Sequence, residues 1–427
     1  MDIRIGIAGL GTIGSGVVEL VRANSTVIRE KTGISLRVAA IADPAIDSRP
    51  DFDRSGIRIC KDGMDLVTDP EIDIIVELVG GVAFPKKLVL AALENGKHVV
   101  TANKALLAKE GQEIYKTAAA NRLALGIEAS VAGGIPVIKT IRESLVGNRI
   151  LEIRGIINGT CNYILTRMAE HGLGFADALA EAQSRGFAEA DPTLDITGGD
   201  AAHKIAILAA LAFNTPVDMA DVHIEGIDRI DTNDIRYARE LGYVVKLIGI
   251  ARDRGAEGIE ARVHPTLVPV DDQLASIRNE FNAVFLRCDF LGDGMLTGKG
   301  AGSRPTASAV VGDIVDIALA MRDHESMPPF FASERSRPVV PFGRTENRYY
   351  MHFSTVDKPG IMSRITGILG ENNISIASMI QKEAGSEEAV PVVMISHTAV
   401  EENMARAIKA IDALPEVRKP TVVIRAL

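Results

Sequence analysis

Tryptophan is absent from the chain, and cysteine is scarce: only Cys60, Cys161 and Cys288 occur. Three scattered thiols are too few for a disulfide framework or a zinc site. Basic runs are missing too. The 47 lysines and arginines are interspersed among 56 acidic residues, for a net charge of −9, so non-specific nucleic-acid binding has no electrostatic footprint. Apolar runs such as Ile205 to Phe213 fall well short of the ~18 residues needed to span a bilayer. Residues Met1 to Gly9 read as a strand entering a turn, without a basic leader or an apolar stretch of signal-peptide length. The expectation is a soluble cytoplasmic protein with neither membrane nor nucleic acid as a partner. What is present is a globular composition, 47% hydrophobic and 24% charged, which permits a sizeable core. At about 100–200 residues per domain, 427 residues suggest two or three domains.

Glycine, at 39 residues, is abundant, and its placement is informative. The first 130 residues alternate strand and helix. Ile3 to Ala8, Leu36 to Ala42, Ile72 to Val79, His98 to Thr101 and Ala124 to Glu128 read as strands. Thr12 to Ala23, Lys86 to Glu94 and Ala105 to Asn121 read as helices. Near-continuous apolar strands in such alternation imply a parallel sheet covered on both faces. Between the first strand and helix stands Gly9-Leu10-Gly11-Thr12-Ile13-Gly14, a G-x-G-x-x-G in the context that a dinucleotide site requires. Gly9 makes the tight turn, and Gly11 lets backbone approach a pyrophosphate. Gly14 allows close packing of helix on strand. The helix start at Thr12 and Ile13 supplies N–H donors and a positive dipole end. Asp43 ends the second strand, where an acid can accept hydrogen bonds from an adenosine ribose and favour NAD over NADP. It lies some 30 residues past the glycines, rather than the usual ~20, and Asp43-Pro44 also reads as a turn start.

From about residue 134 the alternation breaks. Ile135 to Ser144 reads as a helix and Ile150 to Ile157 as a strand. Asn158-Gly159-Thr160-Cys161-Asn162-Tyr163 then presents amide, hydroxyl and backbone N–H groups at the start of a helix, Tyr163 to Glu170. Glu189, Asp191 and Asp195 form an acidic loop before Gly198-Gly199. Asp200 and Lys204, four residues apart, share one face at the head of an apolar helix running from Ala201. The pair is either an ordinary helix salt bridge or a held ammonium in a substrate pocket. A charge pair at the mouth of a buried helix is costly. His203 reads as structural. Cys161 could be a nucleophile, but no base stands at a recognisable spacing.

Met327 to Gly343, rich in proline, glycine and charge, reads as a linker or crossing loop. After it, Tyr349 to Thr355, Ile374 to Lys382, Ala389 to His397 and Thr421 to Ala426 read as strands, with helices Ile361 to Asn372 and Val400 to Leu414.

Several of these motifs carry a family resemblance. The Gly9–Gly14 loop, Thr101-Ala102-Asn103-Lys104, Asn158–Tyr163, Asp191–Lys204 and the run Gly298-Lys299-Gly300-Ala301-Gly302-Ser303-Arg304-Pro305-Thr306 occur in the order of homoserine dehydrogenase, which residues 1 to about 320 resemble. The order βαββαβ that follows, with Asp357-Lys358-Pro359-Gly360-Ile361, resembles an ACT domain. The resemblance implies an α/β protein: an N-terminal Rossmann-type parallel sheet over 1–133, an α+β catalytic and dimerisation domain over 134–320, a linker over 321–347 and an ACT-like regulatory domain over 348–427.

It also implies reversible reduction of L-aspartate 4-semialdehyde to L-homoserine with NADH or NADPH, in threonine, methionine and isoleucine biosynthesis. Lys204 matches the family's proton donor and Asp200 its partner, while Lys104 matches a lysine between nicotinamide and substrate. Glu189 matches the carboxylate for the substrate's amino group, with Gly159, Thr160 and Asp195 in the same pocket. Gly300 matches a glycine of the cofactor site. Glu128, with the carbonyls of Val131, Gly133 and Ile135, matches a sodium site. Threonine is the implied feedback effector, contacting Asp357 and Gly360 of one copy and Asn373 and Ile374 of another, in a homodimer or homotetramer. One departure bears on the cofactor: Ala42 stands where many NADP-using members carry arginine, which raises the odds of NAD or dual use. Two other readings are a phosphorylating aldehyde dehydrogenase with Cys161 as nucleophile, and a non-catalytic amino-acid sensor. Turnover without phosphate separates the first, and the presence of both Lys104 and Lys204 speaks against the second.

Overall fold

The computed structural model describes residues 1–325, 327–331, 336–381 and 390–427. Lys382 and Ala389, read as strand ends, and part of the expected linker lie outside the described residues. The chain divides into two compact units, each discontinuous in sequence. One comprises 1–159, 203–220 and 281–337; the other comprises 160–202, 221–280 and 338–427.

The first unit holds a six-stranded sheet of β1 (Asp2–Ala8), β2 (Ser35–Ala42), β3 (Arg58–Cys60), β4 (Ile74–Glu77), β5 (His98–Thr101) and β6 (Leu125–Gly126), in the order β3-β2-β1-β4-β5-β6. Every pairing is parallel. Chain order runs outward in opposite directions from β1 and β4, so the crevice beyond Ala8 and Glu77, which face each other in register, is the topological switch point where such sheets bind ligands. The core joins Ile3, Ile5, Ile7, Val17, Val76 and Val100 to Ala307, Val310, Ile314 and Ile317. Those last four belong to the helix Ser303–Asp323, so the sheet's core draws on residues far beyond position 133.

Some elements are shorter than their apolar patterns suggest. The strand expected over Ala124 to Glu128 pairs only at Leu125–Gly126 and continues as a 3-10 turn, Glu128–Ser130. Glu128 turns its carboxylate onto the amides of Ile138 and Lys139, which bends the chain away from the sheet. The helix expected from Ile135 begins at Val137, after Pro136, and ends in a π turn. A second, antiparallel group in this unit joins Ile150–Ile156, Phe281–Cys288 and Gly292–Lys299, and the last of these leads into Gly300.

In the second unit, Tyr243–Asp253 pairs antiparallel with Ile259–Pro269 along eleven residues. The C-terminal order follows the expected βαββαβ: Glu346–Thr355, helix Ile361–Glu371, Ile376–Gln381, Val390–Ser396, helix Glu401–Asp412 and Val417–Ala426, with a two-residue strand, Ala399–Val400, added before the second helix and paired to the first strand. Its core gathers Tyr349, Phe353, Ile365, Leu369, Met394, Met404 and Ile411. The last strand also pairs parallel with Ile259–Pro269, at Thr266 and Leu267. Among the described residues, no helix is long and apolar enough to cross a membrane.

Candidate active site

The glycine loop follows β1 directly. Gly9 adopts φ +94°, and a side-chain carbon there would lie 2.7 Å from the Leu78 carbonyl oxygen. At Gly14 the same carbon would lie 2.2 Å from the Gly9 oxygen, whereas at Gly11 it would meet nothing within 4 Å. Two glycines are thus demanded by packing, and the third faces open space at the helix N-terminus. The helix Thr12–Ala23 has Gly11 at its N-cap, so no N-cap side chain bonds its first amides. Asp43 is buried, and its two carboxylate oxygens accept from the amides of Leu10 and Ala45, each at 2.7 Å. Asp43 therefore fastens the glycine loop to the end of β2; it does more than start a turn.

Beyond β4 and β5 the polar groups interlock. Glu77, fully buried, accepts from Val79 N at 2.7 Å and from the Thr101 hydroxyl at 2.5 Å. Asn103 caps the helix Lys104–Ala120 by accepting from Leu106 N at 3.0 Å, and its Nδ2 donates to the carbonyls of Val79 and Gly81. Lys104, half-buried, is the first residue of that helix. Burial pushes the Glu77 carboxyl up to about 7, against the opposing hydrogen bonds from Thr101, Val79 and Asn103. Sequence reading missed Glu77. Its signal was an acid closing the apolar run Ile74-Ile75-Val76, ahead of Gly80-Gly81.

Asp200 and Lys204 lie one turn apart on the helix Gly199–Phe213, and both are buried, with 4% and 8% of their surface exposed. Lys204 Nζ donates to the Ile157 carbonyl at 2.7 Å, immediately before Asn158-Gly159. The ammonium is thus held at the end of the strand Ile150–Ile156, not free on a surface.

In the second unit, Thr160 donates its hydroxyl to the Phe187 carbonyl at 2.6 Å and lies 3.3 Å from Asp195 Oδ2. Gln183 holds the acidic loop through the carbonyls of Glu189 and Ala190, leaving Glu189 exposed. Asp191 is spent locally: hydrogen bonds from Thr193 draw its carboxyl below the usual range and begin the short helix Thr193–Ile196. Cys161 is fully buried and donates to the Asp195 carbonyl at 3.2 Å, which suits packing better than nucleophilic attack.

Back in the first unit, Glu128, Val131, Gly133 and Ile135 are all buried. Gly133 has φ +54°, and a side-chain carbon there would lie 2.5 Å from the Gly300 oxygen. Gly300 in turn sits so close to the Asn282 amide that no side chain fits. Asp313 accepts from Glu128 N at 2.9 Å. Burial raises both acids, Asp313 to about 7. Two buried carboxylates side by side are the kind of site a single positive charge would relieve.

In the C-terminal module, Asp357 and Gly360 are exposed in one turn, where Gly360 has φ +90° and precedes the helix Ile361–Glu371. Asn373, exposed at φ +58°, and Ile374 follow the far end of that helix. Ile374 is packed into the module's core, and its N–H donates to the Leu369 carbonyl at 2.9 Å.

Residues 9–128 match the family model described as the homoserine dehydrogenase NAD binding domain, 136–315 the homoserine dehydrogenase model, and 353–416 the ACT domain. A homoserine dehydrogenase of Neisseria gonorrhoeae is 44% identical over 99% of this chain and 98% of its own length. A crystal structure of a homoserine dehydrogenase from Thiobacillus denitrificans superposes with a TM-score of 0.95 at 43% identity, covering 100% of this chain and 98% of that one. A hyperthermophilic archaeal homoserine dehydrogenase, solved in complex with NADPH, aligns at 27% identity and a TM-score of 0.64, covering 77% of this chain and 100% of that one. Matched along its whole length, with a glycine-loop sheet ahead of a βαββαβ module, the chain belongs to the homoserine dehydrogenase family, NAD(P)-dependent oxidoreductases, and carries a C-terminal ACT domain.

Proposed function

We propose that the chain reduces L-aspartate 4-semialdehyde to L-homoserine, reversibly, with Lys204 as the proton donor. The observation that carries this reading is the buried Lys204 ammonium, tied to the Ile157 carbonyl beside Asn158-Gly159-Thr160. When bound, the nicotinamide supplies or accepts a hydride at the substrate's carbonyl carbon. As charge develops on the carbonyl oxygen, Lys204 stabilises it and delivers a proton. Asp200, one helical turn away, offsets the mutual disfavour of two lysines near one oxygen, and Lys104 is the second lysine. Glu189, exposed on its loop, takes the substrate's ammonium, with Gly159, Thr160 and Asp195 lining the same pocket.

The open face at Gly11 fits a pyrophosphate, with Gly9, Thr12, Ile13, Gly14, Asp43 and Gly300 completing the cofactor site. Ala42 in place of arginine favours NAD or dual use. Glu128 and the carbonyls of Val131, Gly133 and Ile135 fit a sodium ion, whose charge would offset that of Glu128 and Asp313. The domain roles follow the sequence: cofactor binding in 1–133, catalysis and dimerisation in 134–320, a linker over 321–347 and regulation by threonine in 348–427. A cytoplasmic homodimer or homotetramer completes the proposal. The test is a steady-state assay of homoserine oxidation with NAD+ and with NADP+, in phosphate-free buffer, with and without threonine. Absence of turnover with either cofactor would overturn the reading.

A further inference from the structure

Glu77 is a fully buried carboxyl at the switch point of the parallel sheet. Among the described residues, no lysine, arginine or histidine pairs with it, and the groups that touch it are neutral. Keeping an acid there is unfavourable unless its hydrogen bonds are needed. Those bonds reach two different turns. One oxygen holds Val79 N, in the turn after β4. The other holds the Thr101 hydroxyl, which itself accepts from Asn103 N at 3.0 Å in the turn after β5. Asn103 closes the ring by donating to the carbonyls of Val79 and Gly81 while its Oδ1 caps the helix that begins at Lys104. The β4 turn also packs against the cofactor loop, since the Leu78 carbonyl crowds the position where Gly9 lacks a side chain.

We infer that Glu77 is a positioning residue for the dehydrogenase reaction: through Val79 and Thr101 it clamps the turns after β4 and β5 together, and so fixes where the Lys104 helix starts relative to the glycine loop. This rests on the proposed placement of Lys104 between nicotinamide and substrate. A displacement of about 1 Å at such a residue can lower turnover a hundredfold without touching substrate or cofactor directly. A glutamine at position 77 can reproduce the clamp, accepting from Val79 N through its oxygen and donating to the Thr101 oxygen through its amide. Alanine cannot.

The test compares the full-length parent with Glu77→Ala, Glu77→Gln, Thr101→Val and the double variant Glu77→Ala/Thr101→Val. The readouts are kcat and KM for homoserine oxidation, cofactor Kd from reduced-nicotinamide fluorescence, and melting temperature. Glu77→Ala and Thr101→Val should each lower kcat about tenfold or more, with cofactor Kd within about twofold of the parent. The double variant should lose no more than the worse single variant, because both cuts open the same clamp. Glu77→Gln should keep most of the parent's kcat. Kinetics within twofold of the parent in both single variants, multiplying losses in the double, or a loss explained by weaker cofactor binding would each overturn the inference. Should Glu77→Ala not fold, Thr101→Val decides alone, since it removes one hydroxyl at nearly constant volume. A parent without turnover would sink the functional reading; an active parent with unimpaired variants would sink only the clamp.

Discussion

Lys204 Nζ donates to the backbone carbonyl of Ile157 at 2.7 Å. A helix-borne ammonium is thereby fixed at the end of a strand, beside the loop Asn158-Gly159-Thr160. The bond orients the lysine without neutralising it, since a carbonyl carries no charge. Lys204→Ala should lower kcat about 10²-fold or more, while reduced-cofactor fluorescence still reports binding. Lys204→Met, which keeps most of the buried stem, should be as inactive, separating lost chemistry from lost packing. Turnover at the parent's rate in either variant would remove Lys204 from the reaction.

The three glycines of the first turn should separate into two classes. A side chain at Gly14 would collide with the Gly9 carbonyl, so Gly14→Ala should cost about 1–3 kcal/mol and lower the melting temperature. At Gly11 nothing in the protein stands within 4 Å. Gly11→Ala should therefore leave the melting temperature unchanged and weaken cofactor binding about tenfold or more, by occupying the space that a pyrophosphate needs. Equal cofactor affinity in Gly11→Ala and the parent would place the pyrophosphate elsewhere.

The parallel sheet was legible because its strands are plain apolar runs between turn residues, and the C-terminal module because its strands and helices keep clean periods. The stretch from 243 to 269 was not. Its strand Ile259–Pro269 buries Glu260 against Arg262 at 2.9 Å and carries two prolines, so neither alternation nor composition marks it as interior. The helix Ser303–Asp323 went unread for a related reason: buried Asp313 interrupts its apolar face to hold Glu128 N. Charged candidates such as Lys204 were singled out through spacing and motif order, and the proposal rests on them. Glu77, outside any motif, became visible only when β4 and β5 were side by side.

Burial raises Glu77 from the ordinary 4.5 to about 7, which makes a stability prediction. Between those values the unfolded chain has released its proton and the folded chain retains it. Folding is therefore favoured at the acid end, and this contribution is lost as pH rises from about 4.5 through 7. Glu77→Gln cannot titrate. Its stability relative to the parent should improve as pH rises across that window, by at most ~3 kcal/mol. Urea unfolding of both proteins at pH 5 and pH 8 measures the change, and a pH-independent difference would mean that Glu77 ionises normally.

The proposed regulation by threonine carries a geometric signature. Asp357 and Gly360 lie before the helix Ile361–Glu371, and Asn373 follows it. An eleven-residue helix is about 16 Å long, too far for one threonine to touch both ends within a single copy. Dependence on both ends therefore requires two copies to meet at the effector. Millimolar threonine should lower activity in the parent, and Asp357→Ala and Asn373→Ala should each raise the half-inhibiting concentration about tenfold. Activity titrations, paired with mass measurement in solution, check this. A response lost in Asp357→Ala but intact in Asn373→Ala would confine the effector to one copy, and no effect of threonine on activity or melting temperature in the parent would leave the ACT domain an assembly device.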